Sequence, residues 1–230
     1  MKIQTRNNIL WALFAFSATI ISLYPLTFLS SESRNSGLLT QKSQELRSSL
    51  AYMTSFYIHI SFGGIALLTG WSQFLKSWRN KHRTFHRRLG YVYVTSVLIS
   101  SIAGFIIAFF STGGTISEFG FGSLAVVWFT TNLLAFMAIK KRKIKEHEKW
   151  MMRNYSLTFG AVKLRVYLPI LFGLGADVYL ALQIVSWISW VPNLVAMEIY
   201  IQTYDVRGSS LMAKFKQELE VVSDRESIGS

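Results

Sequence analysis

Cysteine is absent from this 230-residue chain, which removes disulfides, thiolate metal sites and thiol nucleophiles together. The absence is compatible with any redox compartment. Acidic residues are scarce, 12 Asp and Glu against 24 Lys and Arg, and histidine occurs only four times. No polar stretch between the apolar runs is long enough for a separate soluble domain. What fills the chain is apolar: half of its residues are hydrophobic and the mean hydropathy is positive. A chain this apolar and this basic must segregate the two kinds of residue along its length.

Six apolar runs, at about 8–29, 50–75, 88–111, 118–139, 150–172 and 178–202, match the ~20 residues that cross a bilayer at 1.5 Å rise each. The first follows Lys2 and Arg6 as a secretory signal would. It exceeds the ~7–15 apolar residues of a signal and ends on no small-x-small cleavage site, so a retained helix is expected. The expected fold class is all-α: a six-helix integral membrane bundle over residues 1–203, with helices two to five (50–172) as a four-helix core, and a tail over 204–230. In the tail, Leu211, Met212, Phe215, Leu219 and Val222 recur at helical spacing, which predicts a short amphipathic helix; an unstructured solubilising tail is the alternative.

Basic residues cluster before run one, between runs two and three (Lys76 to Arg88), between four and five (Lys140 to Lys149) and in the tail. The alternate connections hold only Arg34, Lys42 and Arg47. The positive-inside rule then places both termini in the cytoplasm and the chain in the cell membrane. The net charge of +12 reads as an insertion signal and an attraction for anionic headgroups of the bilayer, about 1 kcal/mol per residue near the surface, and nucleic acid is not an expected partner.

With about 100° per residue, helix two aligns Tyr52, Ser55, His59, Gly63, Ala66, Gly70 and Gln73. Helix three aligns His86, Gly90, Tyr93, Val97, Ser100 and Gly104, and helix five, if continuous from its histidine, aligns His147, Asn154, Thr158, Ala161 and Arg165. Small residues beside polar ones suit helix–helix or helix–cofactor contact, because lipid gives helices no hydrophobic incentive to associate; ordinary packing seams explain the small residues equally. Depth places His59 in the outer half of the membrane, and His86 and His147 together near the cytoplasmic boundary.

The inner pair admits three readings. One is axial ligation of a single b-type haem, with Arg87, Arg88 and Arg153 toward the propionates. Another is a zinc site from His82, His86 and His147 with Glu146 or Glu148. The third is no metal: each imidazole bonds headgroups or a backbone carbonyl. Charges inside the runs form a second signal, since one at a helix centre costs ~2.5–3.5 kcal/mol on insertion scales. Arg165 shares the His147 stripe and is expected inside, Lys163 points elsewhere, and Glu198 is a candidate partner for Arg153. Pro169 and Pro192 either bend their helices and release carbonyls to a substrate or water, or only shape the bundle.

Three ordered motifs carry a resemblance over about residues 50–170: Phe56-Tyr57-Ile58-His59 with Gly64, Leu67, Gly70 and Gln73; His86-Arg87-x-x-Gly90-x-x-Tyr93; and His147-x-x-Trp150-Met151-x-Arg153-x-Tyr155 with Arg165. Together they resemble an uncharacterised family of multi-pass membrane proteins, mostly bacterial, classed as a domain of unknown function. The resemblance implies that His59, His86, Arg87, Gly90, His147, Trp150, Arg153, Tyr155 and Arg165 belong to a shared pattern, and implies no activity. A looser resemblance is to four-helix membrane cytochromes of the b561 and ferric-reductase type. The chain departs from their plan, for helix four has no histidine and His59 no partner histidine at its depth. One inner haem between His86 and His147, in a membrane oxidoreductase or electron-transfer protein with a redox partner, is the leading expectation. A transporter or lipid-binding protein using His59, Tyr155 and Arg165 is the competing one, and an accessory subunit of a membrane complex the third. No nucleophile–base–orienter set points to a hydrolase.

Overall fold

The computed structural model of the protein describes residues 3–29, 37–75, 79 and 81–203; the expected tail helix lies outside the described residues. In lipid, backbone N–H and C=O groups must be satisfied within the spanning segment, so the long apolar runs form helices. These are α1 (Ile3–Ser22), α3 (Leu50–Gly70), α4 (Arg83–Ala108), α5 (Gly114–Lys140), α6 (Ile144–Thr158), α7 (Gly160–Gly173), α8 (Val178–Ile188) and α9 (191–203), with a short α2 (Gln44–Ser48) in the first connection. No strand occurs among the described residues. Six stretches are long and apolar enough to cross a membrane: Asn8–Phe28, Leu50–Phe74, Arg83–Ala108, Gly114–Lys140, Ile144–Gly173 and Val178–Thr203.

Local chemistry sets the ends. Ser43 Oγ accepts from the Leu46 N–H to start α2, Ser49 Oγ accepts from the Tyr52 N–H to start α3, and the Asp177 carboxylate accepts from the Leu180 N–H to start α8, each satisfying an otherwise orphaned donor. Gly114 opens α5 at φ 66, a left-handed conformation that other L residues adopt only with strain. Helices α4 and α6 begin earlier than the apolar runs, at Arg83 and Ile144, because a basic amphipathic turn continues a helix beyond the lipid boundary as readily as an apolar one. His86 and His147 therefore stand inside the first turns of α4 and α6.

Spans five and six are both discontinuous. Helix five is not continuous from His147: it is interrupted at Phe159 between α6 and α7, ten residues before Pro169, which lies within α7. Span six turns at Ser189 and Trp190, and Pro192 falls in the first turn of α9, where its missing N–H removes no helical bond. The two breaks meet. A Cβ on Gly160 would stand 3.2 Å from the Ser189 carbonyl oxygen, and Asn193 Nδ2 donates to the carbonyls of Ser156 and Ser189, both at 3.1 Å. One side chain thus satisfies acceptors from both interrupted helices.

Helix α3 packs along α4, α4 along α5, α5 along α6, and α6 returns to α3. Around these, α1 packs on α3 and α7, and α8 on α5 and α7. The largest buried cluster includes Ala18, Leu67, Tyr93, Val97, Trp128, Tyr155 and Trp190, so all six spans contribute to one core. One end of the bundle, the basic end, carries Arg79, Lys81 to Arg88 and Lys140 to Lys149, and the other, the loop end, carries residues 23–29, 37–49, 109–113 and 174–177.

Candidate functional site

Near the middle of the bundle, the seams read as stripes become a closed polar network. Tyr93 OH donates to Asn154 Oδ1 at 2.6 Å and lies 2.9 Å from Thr158 Oγ1, which accepts from the Trp128 indole N–H at 2.8 Å. Asn154 Nδ2 donates to the Trp128 carbonyl and to Thr131 Oγ1, both at 2.8 Å. Tyr155 OH donates to the Leu67 carbonyl at 3.1 Å, and its ring and that of Tyr93 close so tightly on Gly70 that an added Cβ would stand 2.3 Å from Tyr155 and 2.7 Å from Tyr93. Tyr155, expected as a functional candidate, is placed here as a packing and hydrogen-bonding residue. Trp128, Thr131 and Asn132 lie on none of the predicted stripes; the Thr130-Thr131-Asn132 triplet within an apolar run is the sequence signal for them.

At the basic end, His147 Nδ1 is 2.8 Å from the Ala135 carbonyl, which can only accept, so Nδ1 carries the hydrogen and Nε2 is the lone-pair nitrogen. His86 lies within electrostatic reach of His147, Arg79 and Glu148, and its Nδ1 is buried with no hydrogen-bond partner among the described residues. Arg79 and Glu148 pair at 2.9 Å, tying the second connection to α6. The two histidines thus lie at the same end, within electrostatic reach of one another. Arg87 is exposed. Arg153 is committed elsewhere: its Nε and Nη2 reach Glu198 at 2.7 and 3.1 Å, and its guanidinium lies 4.6 Å from the Trp150 ring centre. The propionate role expected of it therefore competes with a formed bidentate ion pair, while the partnership with Glu198 is present. Among the described residues no three of His, Asp and Glu come together as a metal site, so the zinc set does not assemble. The open recess at this end is lined by Lys81, His82, Arg83 and Arg88, and by neither His86 nor His147.

The loop-end half is hollow. A cavity of about 540 Å³ runs from Lys42, Ser111 and Thr112 at its mouth to Trp128, Thr158 and the helix breaks at Gly160 and Ser189. Its wall is mainly apolar, from Ile21, Phe28, Phe56, Ile60, Leu124 and Leu164 among others, and among the described residues no carboxylate lines it. His59 and Arg165 do. His59 Nδ1 donates to the Ser100 carbonyl at 2.9 Å, Ser100 Oγ donates to the His59 carbonyl at 2.8 Å, and the ring packs on Gly104, where a Cβ would lie 2.7 Å from Nδ1. The imidazole is thereby held in one orientation, with Nε2 as its acceptor nitrogen.

Arg165 is nearly without partners. Its Nη1 donates at 3.2 Å to the carbonyl of Ala161, one turn back on its own helix, and its guanidinium stacks 4.1 Å from the Tyr24 ring centre. Its Nε is buried with no hydrogen-bond partner among the described residues. At the mouth, the Lys42 ammonium donates to the Phe110 carbonyl, and burial pushes its pKa down from the ordinary 10.5 to about 8 against the opposing influence of Glu118. His59 and Arg165, from the second and fifth spans, are thus joined by one cavity that excludes His86 and His147; Lys42 lies in the first connection and Tyr24 near the loop end of the first span, neither on a predicted stripe.

No curated protein and no solved structure matches the chain, and the expected likeness to four-helix membrane cytochromes is not shown. A family model does match, over residues 56–201, which takes in all three motifs and five of the six spans. The chain belongs to the predicted membrane protein family DUF2306.

Proposed function

We propose that the protein binds an amphipathic, anionic ligand in the loop-end cavity, as a lipid-handling or transport protein of the cytoplasmic membrane whose termini and basic end, drawn to anionic headgroups, face the cytoplasm. The observation that carries this reading is Arg165: a half-buried arginine lining an apolar cavity, its Nε buried and unpartnered, with no carboxylate among the described residues that line the cavity. An unpaired cation in such a place is costly to retain, and intramembrane charges mark ligand or ion sites. The apolar wall suits the rest of the ligand, and interrupted helices meeting at the floor are a recurrent way to build an intramembrane binding site. The test is lipid extraction and mass spectrometry of the purified protein. An anionic amphiphile enriched with the wild type and lost from Arg165→Ala is expected; identical lipid profiles would end the proposal.

A second reading keeps the basic-end pair. It is favoured by the His147–Ala135 bond, which leaves Nε2 as a ligand nitrogen in the way that metal-bound histidines are commonly oriented. Here His86 and His147 hold one haem b and Arg87 meets a propionate; the haem supplies one-electron chemistry when bound. Protein made in a haem-producing host and showing no Soret band rules this out. Arg165→Ala leaves that spectrum unchanged on either reading.

A further inference from the structure

We infer that the ligand is a single-chain carboxylate, a free long-chain fatty acid, whose head is taken by the Nε–Nη2 edge of Arg165. This deepens the cavity reading and rests on it. The inference comes from what is left over on each polar group. Nη1 of Arg165 already serves Ala161, and one face of the guanidinium lies on Tyr24. What is left is the planar Nε–Nη2 edge, with Nε buried and unpartnered. Two parallel N–H donors on one edge match the two oxygens of a carboxylate.

A phosphate head asks for more. It carries a third oxygen and up to a second charge, and it needs further donors nearby. In its neutral form His59 adds no donor: with the Nδ1 hydrogen given to the Ser100 carbonyl, Nε2 is an acceptor. The ammonium of Lys42 is held at the mouth by the Phe110 carbonyl. Size suits a single chain: about 540 Å³ falls within the ~300–1,000 Å³ of sites that take one small ligand.

The test is displacement of tritiated palmitate from the full chain in phosphatidylcholine nanodiscs, with hexadecyl phosphate and hexadecanol as competitors. One saturable palmitate per chain is expected, with either competitor at least tenfold weaker. Arg165→Gln should weaken palmitate at least tenfold, and Arg165→Lys nearly as much, because an ammonium has no planar edge. Ala161→Phe keeps every charge and fills the cavity; it should also abolish binding, and it decides the matter if the arginine variants aggregate. Hexadecyl phosphate displacing as well as unlabelled palmitate would overturn the carboxylate assignment and leave the anionic-ligand reading standing. Hexadecanol displacing equally, or palmitate bound undiminished by both Arg165→Gln and Ala161→Phe, would overturn both.

Discussion

Arg153 and Arg165 lie in one membrane span, yet the two ends of the bundle treat them in opposite ways. Arg153, toward the basic end, is gripped by both oxygens of Glu198 and stacked on Trp150. Arg165, toward the loop end, has one carbonyl of its own helix and the face of Tyr24. The surroundings differ likewise. Beside the first, Tyr93, Tyr155, Asn154 and Gly70 pack with no room for a methyl group, whereas beside the second lie about 540 Å³ of space. A paired charge in a packed region is explained by stability, while an unpaired charge beside empty space is not, and the proposed ligand site at the loop end rests on that difference.

The contrast can be broken most sharply at the small residues. Gly70→Leu would drive a side chain into the rings of Tyr155 and Tyr93, and we expect loss of the monodisperse folded protein on size exclusion, since even modest overpacking costs about 1–3 kcal/mol. Ala161→Phe, on the hollow side, should leave elution and thermal stability nearly unchanged; if it aggregates as Gly70→Leu does, the loop end is no emptier than the rest.

Next in size is the network. Asn154→Leu removes the acceptor of Tyr93 and the donor to Thr131 and Trp128. Membrane hydrogen bonds average about 0.6 kcal/mol each, so a loss of roughly 2 kcal/mol in denaturant titration is expected. The arginines give a smaller effect with a diagnostic sign. Arg153→Leu strands Glu198 and should cost about 1 kcal/mol, whereas Arg165→Leu removes an unpaired buried cation and should leave ligand-free stability unchanged or raise it. Equal destabilisation by the two would mean that Arg165 is a structural residue after all.

The smallest expected effect belongs to Lys42. The groups around it are the Phe110 carbonyl and Glu118 outside the cavity, and Arg165 and His59 deeper within it. The folded-state pKa of about 8 is below the ordinary 10.5, so the unfolded chain binds more protons between these values and stability should rise with pH across that window. Attraction for an anion runs the other way: the ammonium is present below about pH 8 and lost above it. Palmitate affinity should therefore fall a few-fold between pH 7 and 9 in the wild type, and be flatter in Lys42→Gln. A wild-type profile without that step would remove Lys42 from the site.

Parts of this were legible before any fold was known. Six spans, the stripe positions of Tyr93, Ser100, Gly104, Asn154 and Thr158, the partnership of Arg153 with Glu198, and the separation of His59 from His86 and His147 all follow from periodicity and depth. Two features were not legible. Span four has no histidine, yet Trp128, Thr131 and Asn132 hold its middle to two neighbours. Span five breaks not at Pro169 but at Phe159, where Gly160 lets the chain approach the Ser189 carbonyl; no local residue preference announces a contact between two distant helices.

The sequence by itself determined that the chain crosses a membrane, how often, and which residues share a helix face, because hydropathy and a 3.6-residue period are local quantities. Only the tertiary structure decided which faces close and which stay apart. Whether a buried cation is satisfied depends on side chains arriving from other spans: Glu198 reaches Arg153 from the sixth, while the described residues bring no carboxylate to Arg165. Space is likewise the difference between packed volumes of several helices, and no single stretch of chain encodes it.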